Sequence, residues 1–277
     1  VLNIKKYIIS CMLSWYNKPN EKYSHLYRYE IMIQSAELQK DFKVVDIGGG
    51  SGYLSLLCAR NGCITYHIDI DSDLVYLARE NTRKHGINEV NYIRATAENL
   101  RFMREKVDVV FCGEVLEHLP NDELAIREIS RIIKPSGKFI ITTPNCNALP
   151  YVLLRVLPGS LRKLVLKVFR VDERFLGELI GEKIKLRTHR GHVRCGYSKK
   201  EIEFKLISNG FSIEKWIRFG FLIPRIIVSK LPRVLFRLLY NLGTILSPIA
   251  HEHLIIAKKS NALNSKPATK ILFKRFN

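Results

Sequence analysis

The sequence contains no run of about 20 apolar residues, the length that a membrane-spanning helix needs. The charge-free stretch 238–250 is short and contains Pro248. The six cysteines form no Cys-x-x-Cys pair, and no internal repeat is present. Most of the cysteines lie among apolar residues, as reduced and buried thiols do. These absences argue against a membrane span, a redox motif and a repeat architecture, and they predict a cytosolic protein.

Both ends of the chain differ in character from its middle. Residues 4–15 are largely apolar and include Lys5 and Lys6, which gives them a slight likeness to a signal peptide, but they lack a clear small-residue cleavage site. We therefore interpret residues 1–41 as an N-terminal helical lid or docking segment. Residues 260–277 are interpreted as a flexible basic tail.

The most informative feature is an apolar strand that runs into a glycine turn. Val44, Val45 and Ile47 suit a central parallel strand, which is buried on both faces. The glycines within 48–52 allow the backbone to pass close to a bound molecule, where a Cβ atom would collide. A helix is predicted to begin at Leu54. With 277 residues, of which 47% are hydrophobic, the chain is long enough for one doubly wound core with insertions. Together these features predict a site for a nucleotide-type cofactor.

The spacing of the glycines distinguishes two classes of cofactor. A dinucleotide fingerprint requires Gly-x-Gly-x-x-Gly, but Tyr53 occupies the position of the last glycine. The pattern from Asp46 to Gly52 is instead Asp-x-Gly-x-Gly-x-Gly. It resembles motif I of the class I S-adenosylmethionine-dependent methyltransferases, whose cofactor has no phosphate.

A second strand is predicted over Ile64–Asp69. Asp69 ends this strand about 20 residues beyond the glycines, where folds of this kind bind the ribose hydroxyls. Asp71 and Asp73 follow closely, and we interpret them as capping residues of the next helix. Asp69 is therefore the expected ribose acceptor.

A third predicted strand, Val90–Arg94, leads into the segment 95–100. In the methyltransferase family this segment usually reads Gly-Asp-Ala-Glu, and its Asp contacts the adenine amino group. Thr96 replaces that Asp here. The resemblance then implies that adenine is recognised by the Ala97 backbone and the Thr96 hydroxyl.

The resemblance extends to Asn145. A fourth strand, 107–112, runs into Glu114-Val115-Leu116-Glu117-His118-Leu119-Pro120, and a helix over 124–133 and a strand over 139–143 precede Thr143-Pro144-Asn145. This succession resembles the small-molecule and lipid-quinone methyltransferases of the superfamily. The cofactor-binding residues that the resemblance implies are Asp46, Gly48, Gly50, Gly52, Asp69, Ile70, Thr96, Ala97 and Glu114.

The resemblance also implies the architecture. We expect a Rossmann-like, doubly wound α/β fold with a seven-stranded sheet, mostly parallel with an antiparallel seventh strand at a hairpin edge, and with a helical cap. The core covers 42–145, a helical cap insertion 146–197, and the C-terminal part of the fold 198–259 with a basic amphipathic insertion at 221–250. Within that part, a helix capped by Ser198 precedes strands at 211–219 and 253–258.

The chemistry of such a fold is an in-line displacement that requires a base only when the acceptor is a weakly acidic hydroxyl. His118 and His192 are the candidate bases, since imidazole titrates near neutral pH. His118 is equally interpretable as a capping or core residue. In some relatives a Glu-x-x-Glu-His cluster binds Mg²⁺, so Glu114, Glu117 and His118 also form an alternative metal site.

Charge is distributed unevenly along the chain. Residues 42–145 contain 13 Lys and Arg against 14 Asp and Glu, whereas residues 146–250 contain 20 against 7. Within the basic region, helical projections of 161–170 and 230–242 separate leucines and valines from lysines and arginines. Helices of this kind lie in a membrane interface, or they pack as ordinary lids with solvated cations. Both interpretations remain open at the level of sequence.

Three functions are compatible with the sequence. The first is a methyltransferase that acts, most simply by O-methylation, on a small-molecule or lipid-like acceptor, with a cap that contacts an anionic membrane surface. The second is an RNA methyltransferase, which the charge permits although no RNA-binding module is recognisable. The third is a non-catalytic cofactor-binding protein. Fold and cofactor alone do not identify the acceptor.

Overall fold

The computed structural model describes residues 22–149, 152, 156–161, 193–194, 196–220, 235, 238 and 250–260. Most of the predicted cap, the segment before residue 22 and the tail after residue 260 lie outside the described residues. The helices and strands, in chain order, are α1 (Lys22–Ala36), β1 (Lys43–Ile47), α2 (Tyr53–Arg60), β2 (Ile64–Asp69), α3 (Ser72–Lys84), β3 (Val90–Arg94), β4 (Val107–Gly113), α4 (Asp122–Ile132), β5 (Ile133–Pro144), α5 (Lys199–Ser208), β6 (Phe211–Phe219) and β7 (Glu252–Lys259). A short 3-10 turn, Leu116–His118, lies between β4 and α4.

The seven strands form one sheet in the order β3-β2-β1-β4-β5-β7-β6. Neighbouring strands from β3 to β5 are parallel, whereas β7 is antiparallel to both β5 and β6. The predicted fold class is therefore confirmed. Strand β7 lies inside the sheet between β5 and β6, so the edge strand of the terminal hairpin is β6.

The central strands are buried on both faces, as their apolar composition predicts. Alternate residues of β1 and β4 contribute to two separate hydrophobic clusters, because successive side chains of a strand point to opposite faces. Val45 and Val110 belong to the cluster that includes α4 and α5. Val44 and Val109 belong to the cluster that includes Met32 of α1 and residues of α2. Each face of the sheet therefore has its own core.

The helix ends follow from local capping. The Asp71 side chain accepts a hydrogen bond from the Asp73 N–H at 2.9 Å, and the Ser198 hydroxyl accepts one from the Glu201 N–H at 3.3 Å. Asn121 caps α4 by accepting from the Leu124 N–H at 3.0 Å, which explains why this helix begins before the predicted start at Leu124. These bonds satisfy N–H groups that have no partner inside the helix.

The chain returns from the cap to the sheet at a fixed place. The Tyr197 hydroxyl donates to Asp122 Oδ2 at 2.6 Å and lies 3.1 Å from the Leu116 carbonyl oxygen. Gly196 has φ +113, and a Cβ atom there would lie 2.2 Å from the Pro144 carbonyl oxygen, so only glycine fits. The N–H groups of residues 193 and 194 both donate to the Glu117 carbonyl, at 2.8 and 3.2 Å. The segment after the cap is thereby anchored to the loop that follows β4.

Two observations bear on the classes considered from sequence. Within the described ranges, no helix is long and apolar enough to cross a bilayer. The described cysteines are free thiols, and three of them, Cys58, Cys63 and Cys112, are buried.

Candidate functional site

The candidate site lies where the sheet reverses its winding. From β1 the chain proceeds outward to β2 and β3, whereas β4 and β5 lie on the other side of β1. Ligands of open α/β sheets bind at the carboxyl ends of the strands at such a switch point. The glycine turn, residues 48–52, follows β1, and Glu114 follows β4. These two loops therefore meet where a cofactor is expected.

The four glycines of the turn have different surroundings. A Cβ atom on Gly48 would lie 2.3 Å from Val115 Cγ2, one on Gly49 2.4 Å from His67 Nδ1, and one on Gly52 2.6 Å from Ala78 Cβ. Those three glycines are required by packing within the protein. At Gly50, whose φ is +52, no heavy atom lies within 4 Å of the Cβ position. The turn is therefore packed against the protein at these three glycines and open at Gly50.

Asp69 fixes the open side of the turn. Its Oδ2 accepts a hydrogen bond from the Gly50 N–H at 3.0 Å, and its Oδ1 accepts one from the Asp71 N–H at 3.0 Å. A carboxylate oxygen has two lone pairs, so each oxygen keeps one acceptor position after these bonds. Two such positions on one carboxylate suit the two hydroxyls of a ribose.

Asp46 lies beneath the turn. It is buried, and its Oδ2 accepts a hydrogen bond of 2.6 Å from the Ser55 hydroxyl. Because Ser55 donates its only hydrogen to Asp46, its oxygen accepts from His67 Nδ1, 3.0 Å away. Burial raises the pKa of Asp46 to about 6 and lowers the pKa of His67 to about 4. Asp46 therefore supports the turn from its buried side, where the ionised carboxylate contributes negative charge.

Neither Ser55 nor His67 was identified from the sequence. Ser55 follows the glycines by three residues on α2, and His67 lies on β2 beside Asp46 in the register of the parallel pair. The sequence signal for these two residues was a polar side chain at a position of each element that faces the protein interior. Without the strand register, nothing in the sequence joined the two to Asp46.

The predicted adenine side of the site is built on the end of β3. The Ala95 N–H donates to the Asp69 carbonyl at 3.0 Å, which brings the following residues beside the ribose position. The Thr96 hydroxyl donates to Glu98 Oε2 and accepts from the Glu98 N–H, both at 3.3 Å. Its hydrogen is thus already engaged, and Ala97 is buried. Ile70, directly after Asp69, is exposed and offers an apolar surface to a ring.

Glu114 is held in an uncommon backbone conformation, with φ +57. Its side chain lies 3.7 Å from Arg28 Nη2, while Arg28 Nε donates to Glu252 Oε2 at 3.0 Å. Burial raises the pKa of Glu114 to about 7 against the attraction of Arg28. Although burial also opposes the ionisation of Glu252, Arg28 holds the pKa of that carboxyl below its usual range. A non-glycine residue with positive φ beside a ligand-binding loop is typical of functional sites.

Arg28 was not identified from the sequence. It is buried on α1, in the segment that we interpreted as part of a lid, and it is separated from Glu252 by 224 residues. No local pattern marks a single arginine as the partner of two distant carboxylates. Only the packing of α1 on the sheet reveals it.

The second glutamate of the same loop is fully enclosed. Glu117 Oε2 accepts a hydrogen bond from Thr143 Oγ1 at 3.1 Å, and Oε1 is buried without a hydrogen-bond partner. Burial, together with the nearby charge of Glu114, raises the pKa of Glu117 well above its ordinary value. Its surroundings therefore oppose ionisation of the Glu117 carboxyl group.

The structure describes one of the two histidines proposed as bases. His118 is half-buried in the 3-10 turn beside Glu117. His192 lies outside the described residues. The part of the chain that the structure describes contains no group of three or more His, Cys, Asp and Glu residues suited to a metal ion. The Mg²⁺ alternative at Glu114, Glu117 and His118 therefore finds no geometry among these residues.

The arrangement fits S-adenosylmethionine. An open backbone face at Gly50 and two acceptor positions on Asp69 suit the ribose. Asp46, Glu117 and Glu252 add buried carboxyl groups and Glu114 adds a half-buried one, whereas Arg28 is the one guanidinium paired with Glu114 and Glu252 among the described residues. An excess of buried carboxyl groups suits a ligand that carries a sulfonium and an ammonium.

Comparison with known proteins identifies a methyltransferase domain in the same part of the chain. Residues 45–141 match the family model described as "Methyltransferase domain". The chain is 32% identical over 139 residues to the Ubiquinone biosynthesis O-methyltransferase of Haemophilus ducreyi, a match that covers 48% of the chain and 58% of that protein. It is 36% identical over 125 residues to the protein of the same name from Shewanella, covering 42% of the chain and 52% of that protein. The chain thus spans little more than half the length of these curated relatives.

The fold is shared with solved structures at much lower sequence identity. The YcgJ protein from Bacillus subtilis has a TM-score of 0.57 at 18% identity, and the likeness covers 85% of this chain and 99% of that one. The sheet order, the glycine turn and the match to the family model all indicate a methyltransferase domain. Over residues 45–141 the chain carries a methyltransferase domain similar to that of the class I S-adenosylmethionine-dependent methyltransferases.

Proposed function

We propose that this protein transfers a methyl group from S-adenosylmethionine to a hydroxyl group of a small-molecule or lipid-like acceptor. The observation that carries the proposal is the bond from the Gly50 N–H to Asp69 Oδ2 at the open face of the turn. The choice of an oxygen acceptor draws support from the two relatives, which are both named Ubiquinone biosynthesis O-methyltransferase.

Each described residue has a separate binding role in this proposal. Asp69 accepts hydrogen bonds from the ribose hydroxyls, and Gly50 leaves space for the cofactor against the backbone. Ile70 covers one face of the adenine, and the Thr96–Ala97 backbone recognises its edge. Asp46 and Glu114 provide negative charge near the cationic end, while Arg28 keeps Glu114 and Glu252 in place.

The protein contributes alignment more than covalent chemistry. When bound, the cofactor would supply a methyl group on a sulfonium; the acceptor oxygen would bond to that methyl carbon as the C–S bond breaks in line and the neutral thioether leaves. Holding the two reactants in attack geometry supplies about 7 to 11 kcal/mol of the barrier reduction. The hydroxyl proton requires an acceptor of pKa near neutrality. His118 and His192 remain the predicted bases, and the structure adds Glu114, whose pKa is raised to about 7.

The role of Asp69 is tested by replacing it with asparagine. The Gly50 N–H and the Asp71 N–H each donate to one oxygen of the native carboxylate. In Asp69→Asn an NH₂ group replaces one of these oxygens, so one backbone donor faces another donor. We expect the affinity for S-adenosylhomocysteine, measured by calorimetry, to fall by about tenfold or more, as the loss of charged hydrogen bonds implies.

Asp71→Asn is the matched control for this change. Asp71 uses one oxygen to cap α3, and asparagine is an equally good capping residue. Affinity in Asp71→Asn is expected to match that of the wild type. Equal affinities in the two variants would contradict the ribose role of Asp69.

The buried carboxyl groups predict that cofactor binding depends on pH. A cation is bound best by ionised carboxylates, and Glu114 and Asp46 ionise only above their raised pKa values of about 7 and about 6. The affinity for S-adenosylmethionine is therefore expected to fall as the pH is lowered from about 8 to about 5.5. Glu114→Gln should remove the part of this dependence near neutrality.

Two controls accompany the pH titration. S-adenosylhomocysteine, which lacks the sulfonium, should show a smaller dependence. Because a raised carboxyl pKa penalises ionisation in the folded state, these two groups make the free energy of unfolding larger at the lower pH, so lost affinity is not explained by unfolding. Affinity that is constant across this range would contradict the electrostatic role.

The reaction itself is tested with a methyl-labelled cofactor and two pools of acceptors, a total lipid extract and total RNA. We expect the label in the organic phase with wild-type protein and its loss with Asp69→Asn. Label in the RNA and none in the organic phase would contradict the proposed acceptor class. The absence of label from both pools despite cofactor binding would favour a non-catalytic protein.

A further inference from the structure

A stripe of apolar side chains follows the end of β5. Leu149, Val152 and Val156 are each helical, and their spacings of three and four residues are those of side chains that share one face of a helix. All three are exposed, Val156 to 74%. Such a stripe normally packs against the protein core. Ala148, immediately before it, is fully buried, so the stripe begins at the rim of the sheet.

The described positions of the two amphipathic segments predicted from sequence are also exposed. Leu161 belongs to the apolar face predicted for 161–170, and it is exposed. Leu235 and Leu238 belong to the apolar face predicted for 230–242, and Leu238 is 62% exposed. The lid interpretation required these leucines to pack on the sheet. At the three described positions the leucine side chains are instead 42 to 62% exposed.

The charge of the same segments is uniformly positive. Residues 146–171 contain five Lys and Arg and no Asp or Glu, and residues 221–250 contain four and none. The core, in contrast, is close to neutral. Exposed apolar residues together with cations and without acidic residues are typical of segments that lie in the interface of an anionic membrane.

We propose that Leu149, Val152, Val156, Leu161, Leu235 and Leu238 form a cap surface that inserts into the interfacial region of an anionic phospholipid bilayer. The apolar side chains enter the acyl boundary and the neighbouring lysines and arginines contact the head groups. The surface starts at the end of β5, four residues after Asn145, whose amide donates to the Ala250 carbonyl at 2.9 Å and so holds together the two ends of the basic region. This proposal does not rest on the proposed methyl transfer.

The location gives the docking a functional consequence. Thr143 of β5 donates to Glu117, so the strand end that precedes the cap surface also contacts the candidate site. A protein docked by this surface holds its site near the bilayer. An acceptor with an acyl or polyprenyl chain then needs only to expose its reactive group at the head-group level.

Flotation of the full chain with lipid vesicles tests the proposal. We expect wild-type protein to float with phosphatidylcholine vesicles that contain about 30% phosphatidylglycerol, and much less with pure phosphatidylcholine. The combined substitution Val156→Glu and Leu238→Glu should weaken partitioning by about tenfold or more, since two exposed apolar anchors become anionic. Arg162→Gln with Lys163→Gln should weaken binding to the anionic vesicles alone.

The matched control is Phe204→Glu, which changes an apolar side chain of α5 that is 54% exposed and lies outside the cap surface. It should float like the wild type. All variants should bind S-adenosylhomocysteine as the wild type does, which shows that they are folded and separates this test from that of the methyl transfer.

Three results would overturn the proposal. The first is wild-type protein that floats with neither kind of vesicle, whether or not it binds the cofactor. The second is a Val156→Glu, Leu238→Glu variant that floats like the wild type. The third is salt-sensitive binding of single-stranded RNA without flotation, which would assign the basic segments to nucleic acid.

Discussion

The hydrogen bond from the Gly50 N–H to Asp69 is the constraint on which the site depends. It joins the glycine turn after β1 to the end of β2, and the second oxygen of Asp69 fixes the start of α3 through the Asp71 N–H. Three glycines of the turn are pressed against Val115, His67 and Ala78, so the turn has no freedom to move away. One open backbone position and one oriented carboxylate result from this packing. Neither loop alone creates that geometry.

A cluster of carboxyl groups in the protein interior is the second organising feature. Desolvation raises the pKa values of Asp46, Glu114 and Glu117, and Arg28 alone among the described residues pairs with both Glu114 and Glu252. Removing one partner of a buried ion pair leaves the other uncompensated at a cost of about 3 to 5 kcal/mol. Helix α1 is therefore bound to the site by electrostatics as well as by its apolar face. A cationic ligand would balance the negative charge of those carboxyl groups that are ionised.

The sequence predicted what local chemistry determines. Apolar runs identified the central strands, Asp71 and Ser198 identified helix starts, and the glycine spacing identified the turn. It could not predict contacts that depend on the register of the sheet or on distant pairing. The Asp46–Ser55–His67 chain requires β1 and β2 in register, and Arg28 meets Glu252 across almost the whole chain. Strand β5 is also longer than the sequence predicted. Its residues before Phe139 pair with β4, and the irregular register of this pairing is not visible in the sequence.

The central claim, that the open face at Gly50 receives the cofactor, is tested most directly by comparing Gly50→Ala with Gly86→Ala. Both glycines have positive φ, +52 and +74, and neither has a heavy atom within 4 Å of its Cβ position. Each substitution should therefore lower the free energy of unfolding by a similar amount, about 1 kcal/mol. Calorimetric titration with S-adenosylhomocysteine should show at least about tenfold weaker binding for Gly50→Ala, because its methyl group enters the ligand position, and unchanged binding for Gly86→Ala. Equal affinity in the two variants would contradict the account.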